Sequence, residues 1–325
     1  MTFSLLSGLV LGGLFGPPAQ ATEGLQWQWG DSDQRAYMIR SRVFLPQFMQ
    51  FNKERNGDAR VTEFVVTVIT TCSVVDKVGK DRWELKCSID DFSIAGAPPK
   101  SDAGKLMEVF DEMDQKLVNG GWVQMVFSAD GRIVDYDLEG VDKSNTRNRH
   151  IQENMRLILG RLFAAMDLQL PRKGVDSDQS WEQKSSPLAM HFPSASGTFG
   201  ASDVVHQVTK SAGDRAEIAT SGRGTLGPGE FYSPRTGSDR LKNQYDLEYR
   251  GITVFDTANG NMVEHEYLVE GMPTPSSLAA EGSEGIGYVQ ETRLELIPED
   301  TKPVLGPNEE IAPQRQYATG AVQGQ

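Results

Sequence analysis

The stretch Gly222-Arg223-Gly224-Thr225-Leu226-Gly227 has the glycine spacing with which dinucleotide-binding proteins cradle a pyrophosphate. That grip works where the turn opens a helix whose N-terminus meets the phosphates, and here Pro228-Gly229 follows with no helical pattern after it. The glycines read as a flexible loop, and no cofactor is expected. The four histidines, His150, His191, His206 and His265, are scattered, and none has a second ligand at the spacing a metal needs. Glu264-His265-Glu266 comes nearest to a cluster. On a strand it puts both carboxylates on one face and the imidazole on the other, so it reads as a surface strand and no metal is expected. Asp135 and Asp137 share a strand face and could hold a hard cation if a loop supplied more oxygens, but the calcium-loop spacing is absent and a solvent-facing strand edge is the simpler reading. With no G-x-S-x-G elbow and no recognisable Ser, His and Asp constellation, no catalytic residue is assigned.

The two cysteines carry a different chemistry. Residues 61–75 and 82–89 both alternate apolar and polar positions, and a turn at Gly79-Lys80 sets Cys72 opposite Cys87, Val74 opposite Leu85 and Thr70 opposite Ile89. Every apolar partner then falls on one face, and a cross-strand disulfide between Cys72 and Cys87 is predicted. Asp90-Asp91 marks a bulge, because the apolar positions pass there from odd (Ile89) to even (Phe92, Ile94).

The elements around these residues follow from hydrophobic period and turn chemistry. Asp130-Gly131, Ala212-Gly213 and Asn259-Gly260 each sit between alternating runs and predict hairpins joining 122–128 to 132–138, 204–209 to 215–220, and 245–255 to 262–269. Further strands are predicted at 25–29, 36–44 and 288–297. Two amphipathic helices interrupt them. Asp102 caps the first, whose stripe includes Leu106, Phe110, Met113 and Leu117 before Gly120-Gly121; Ser144 caps the second, whose stripe runs from Ile151 through Met155, Ile158, Leu162 and Met166 to a stop at Pro171. A one-sided helix needs a surface to cover, so both are expected to lie on the sheet. Met113, Met125, Ile151, Met155 and Ile158 would then face the space between, and thioethers suit a pocket for an apolar ligand.

The fold class expected is α+β: a curved, mostly antiparallel sheet covered by two amphipathic helices. Residues 1–21 read as a secretory signal, with an apolar run from Phe3 to Phe15 and Ala19-Gln20-Ala21 as the cleavage site. Residues 22–298 are expected to form one domain: a half with both helices (22–170), a connection (171–202) in which Trp181 nucleates a short strand, and a strand-rich half (203–298) that extends or packs against the first sheet. Residues 299–325, rich in Pro, Gly and Gln, are expected to be a disordered tail. The net charge of −13 disfavours nucleic acid and anionic lipid as partners, and no later stretch is apolar enough for a membrane helix.

Residues 122–138, with their Ser-Ala-Asp-Gly turn, the helix after them, Trp181, Tyr249-Arg250-Gly251, Phe255-Asp256 and the Asn259-Gly260 hairpin resemble uncharacterised secreted bacterial β-sheet proteins, similar in outline to the lipoprotein carriers. The resemblance implies the curved sheet with covering helices and carries over no active site. A non-enzymatic exported protein, periplasmic or secreted, is the resulting expectation. It would bind an apolar small molecule or a cell-envelope protein; a filled scaffold for surface interactions is the alternative, and a hydrolase with an unrecognised site a third.

Overall fold

A computed structural model describes residues 25–44, 63–96, 103–142, 144, 146–171, 179–183, 203–226, 229–231, 239–241, 245–273 and 288–301. Residues 1–21, read above as a signal, the stretch beyond residue 301, Asp102, His191 and the side chains of Ile151 and His150 lie outside the described residues.

Alternating runs closed by tight turns produce the predicted hairpins. β2 (Glu63–Lys77) pairs with β3 (Arg82–Gly96) in the expected register, with Cys72 opposite Cys87 and the disulfide formed. Asp90 is the unpaired residue of a bulge between Ile89 and Asp91, as the change of parity predicts. β4 (Trp122–Ser128) turns to β5 (Ile133–Glu139), β7 (Asp203–Ala212) to β8 (Arg215–Leu226), and β11 (Tyr245–Asp256) to β12 (Asn261–Pro273). Gly131, Gly213 and Gly260 have φ of 85°, 58° and 58° at these turns, dihedrals that glycine adopts without steric cost. With β1 (Gln34–Phe44), β6 (Ser180–Gln183) and β13 (Tyr288–Ile297), these strands make one antiparallel sheet of eleven. Its order is β5-β4-β3-β2-β1-β13-β12-β11-β8-β7-β6, so the strand-rich half does extend the first sheet. Among the described residues, β9 (Gly229–Phe231) and β10 (Asp239–Leu241) pair with each other and with no other strand.

The sheet is open but strongly curled. Phe127 on β4 and Phe255 on β11 stand six strand intervals apart, which on a flat sheet is roughly 28 Å. The single indole of Trp27 touches both, with ring centroids 4.9 and 5.4 Å away. Residues 25–29 do not form the predicted strand. They run extended into the hollow with Leu25, Trp27 and Trp29 buried and alternate residues exposed, and Gln28 N donates to Gly260 O (2.9 Å). The period-2 pattern was produced here by burial in a cavity, with no ladder partner.

The helices occupy part of this hollow. α1 (Ala103–Val118) packs on β3, with Met113 and Leu117 buried; α2 (Thr146–Phe163) meets β5, β1 and α1. The Ser144 hydroxyl, predicted to cap this helix, donates to Asp142 (2.8 Å) just before it. α2 also masks the free edge of β5: Gln152 Nε2 donates to Leu138 O (3.0 Å), and Tyr136 reaches the helix carbonyl of Arg156. The second helix stops at Phe163, well before Pro171. A 3₁₀ turn, Ala164–Met166, follows, Leu168 N donates back to Met166 O (2.9 Å), and residues 167–170 continue as a buried segment outside any helix or strand. The glycine-rich stretch also departs from the loop reading, since Gly222 to Leu226 lie within β8.

Candidate functional site

Strand register sorts the inner face into rows. One row crosses seven adjacent strands as Ser41, Thr292, Tyr267, Gly251, Thr220, His206 and Trp181, each directly opposite the next. Apart from Gly251 and Trp181 all are buried. A row of hydroxyls, imidazole and phenol is a polar belt in a position where aliphatic side chains would ordinarily pack. The neighbouring rows add His265 and Thr253 on one side and Gln290, Tyr249 and Gln183 on the other. Gly251 and Gly222 stand directly across from Tyr267 and Tyr249, leaving room for two rings that stack with centroids 5.2 Å apart. The glycines of the dinucleotide-like motif thus serve a strand beside an aromatic pair.

The belt satisfies itself through three hydrogen-bonded strings. His206 Nδ1 lies 2.8 Å from Thr220 Oγ1, and its Nε2 lies 2.7 Å from Gln183 Oε1. An amide oxygen only accepts, so Nε2 carries the proton and Nδ1 accepts from threonine. His265 bridges Thr253 Oγ1 (2.7 Å) and the Tyr249 hydroxyl (3.1 Å). Gln290 Nε2 donates to the Tyr267 hydroxyl (3.3 Å) and to Thr292 Oγ1 (3.1 Å), which in turn lies 2.8 Å from Ser41 Oγ. Burial holds both imidazoles neutral, lowering His206 to about 3, with His265 adding to the effect, and His265 itself to about 4.

Asp167 completes the cluster. Burial raises its carboxyl to about 7, against a hydrogen bond from Ile133 N (3.3 Å) and the nearby Arg132 guanidinium, which favour the ionised form. Burial likewise pushes the Tyr249 phenol up, reinforced by Tyr267 and then Asp167. Sequence inspection missed these perturbed groups, His206, Tyr249 and His265 on strands and Asp167 after the 3₁₀ turn. The only signal was parity, which puts His206, Tyr249 and His265, with Tyr267, at inward positions of their strands.

The residues singled out from sequence are placed elsewhere. Met113, Met125 and Met155 are 3%, 1% and 0% exposed and share the core with Trp27, while Ile158 is half-buried against it. Glu264-His265-Glu266 divides its faces as predicted, but the imidazole is buried, which corrects the surface-strand reading. Asp137 pairs with Arg156 (3.2 Å), and among the described residues no group of three side chains is disposed to hold a metal. No described helix is long and apolar enough to cross a membrane. Outside the hollow, a groove of about 420 Å³ lies where α1 ends, between Lys86, Asp90 and Trp122.

No family model and no curated protein matches this chain. Among solved structures, DynF from the dynemicin biosynthesis pathway of Micromonospora chersina aligns over 87% of this chain and 92% of its own, at 9% identity and a TM-score of 0.17. A likeness at that level carries no argument about fold or function.

Proposed function

We propose that the protein is an exported, non-enzymatic binding or carrier protein whose ligand, an apolar or amphiphilic small molecule, lodges between the helices and the curled sheet. The observation that carries this reading is the composition of the inner face. An apolar base around Trp27, Phe127 and Phe255 adjoins the polar belt of Tyr249, His265, Tyr267 and Gln290, an arrangement suited to a greasy body with a hydrogen-bonding head. Met113, Met125, Ile151, Met155 and Ile158 would supply the apolar wall. The formed disulfide and the cleavable leader pattern support an oxidising compartment outside the cytoplasm. The string Thr220, His206 and Gln183 invites a hydrolase reading. An imidazole whose basicity burial has lowered is a weak general base at neutral pH, however, and the third member is an uncharged amide.

Native mass spectrometry of the protein purified without detergent, followed by thermal melts with a medium-chain fatty acid and a lysophospholipid, tests the proposal. At a hundredfold excess over Kd a genuine ligand adds about 2.7 kcal/mol. No co-purified small molecule and no rise in Tm with either probe would leave the filled-scaffold reading in its place.

A further inference from the structure

We propose that the buried segment 163–170 is a releasable bolt, fastening the two free edges of the sheet to each other with a hold set by the protonation of Asp167. β5 and β6 are the ends of the eleven-strand order and do not pair, so nothing in the ladder closes the curl between them. The bolt spans that seam. On the β5 side, Asp167 Oδ1 accepts from Ile133 N (3.3 Å) and Leu170 N donates to Asp130 O (2.7 Å). On the β6 side, Trp181 Nε1 donates to Gln169 O (2.7 Å) and Gln183 Nε2 to Asp167 O (3.5 Å), while His206 on β7 steadies Gln183. From within, Trp27 Nε1 donates to Leu168 O (3.1 Å). Its polar attachments run through backbone carbonyls and one carboxylate, while Phe163, Met166, Leu168 and Leu170 bury their side chains in the core, so release exposes apolar surface as well. Such a segment can leave without breaking any strand pair.

The groups facing Asp167 fix the direction of the switch. The turn between β4 and β5 presents Arg132 and Asp130, paired with each other at 3.2 Å; β11 presents the Tyr249 phenol; and β6 and β7 present Gln183 and the neutral His206. The inward side of β13 offers Gln290, Thr292 and Leu294, none of them titratable. Arg132 is shared with Asp130, so an ionised Asp167 lacks a counter-ion of its own. Because the closed form holds the Asp167 proton up to about pH 7 and a released carboxyl loses it near 4, the hold is full below pH 4 and weakens as pH rises through 7.

Hydrogen exchange of the full chain at pH 5.5 and pH 8, corrected for intrinsic rates, tests this without any ligand. The ratio of protection at 163–170 in the wild type to that in Asp167→Asn should fall roughly thirtyfold between the two pH values, the factor set by one proton bound up to pH 7. Strands β2 and β12 should not change, and any contribution of His206 cancels in the ratio. Equal protection at both pH values, or loss of protection over the whole sheet at once, overturns the proposal. Should Asp167→Asn not fold, the Asp167 carboxyl carbon resonance in the wild type must titrate with the same midpoint as the bolt loses protection; different midpoints overturn it. Failure of ligand binding would leave this result untouched, and the reverse holds too.

Discussion

Gly131 is the residue on which the base of the hollow closes. A Cβ there would lie 1.9 Å from Leu168 O and 2.3 Å from Trp27 Nε1, and φ is 85° besides. Gly131→Ala must therefore displace both the bolt and the indole, and we expect a loss of about 3 kcal/mol or more in denaturant unfolding. Gly213→Ala, at φ 58° with no atom within 4 Å of the new carbon, should lose only about 1 kcal/mol, which isolates the dihedral cost from the collision. The histidines carry the opposite pH sign from Asp167. Their folded values are depressed, so their contribution is complete above about pH 6.5 and is lost as pH falls towards 4 for His265 and 3 for His206. His265→Gln should flatten the acid limb of Tm against pH while lowering Tm at neutral pH; an unchanged acid limb would show that this imidazole is not what acid attacks.

At the scale of elements, the disulfide joins directly opposed residues in the longest hairpin, and reduction frees a loop of 15 residues. We expect about 3 kcal/mol less stability with reductant in the chain-entropy description, measured as a lower urea midpoint. Trp27→Ala should lose about 3–5 kcal/mol, because the indole fills the space between β4 and β11. The hairpins were legible in the sequence because each carries its own instruction: a glycine at the turn and a period of two on either side. Cys72 opposite Cys87 followed from the same counting. Residues 25–29 and 163–170 were not legible, since chain that crosses a hollow without ladder partners has the residue pattern of a strand or of a continuing helix stripe, and only tertiary partners distinguish them. The belt stayed hidden for a related reason. Tyr249, His265, Tyr267 and Gln290 lie up to 41 positions apart in sequence, and only the β11-β12-β13 register sets them side by side.

For the whole molecule, several ion pairs lie on the outward strand faces, while Arg35 and Asp167 are buried. Pairs such as Arg293 with Glu264 and Lys210 with Glu217 decorate exposed strand faces and contribute little individually. Tight turns gather at one end of the sheet, while the connections at 45–62, 97–102, 184–202, 227–244 and 274–287 all leave from the other. The central strand of the sheet is β13, paired on one side with β1, and these two strands come from opposite ends of the sequence. Synthesis delivers the first of them some 250 residues before its neighbour. Until β13 emerges, β1 offers one bare row of N–H and C=O groups to any passing strand. A chain cut before Tyr288 should consequently gather into oligomers whatever the health of its hairpins, and a holdase that shields unfinished edges would be most needed during that interval.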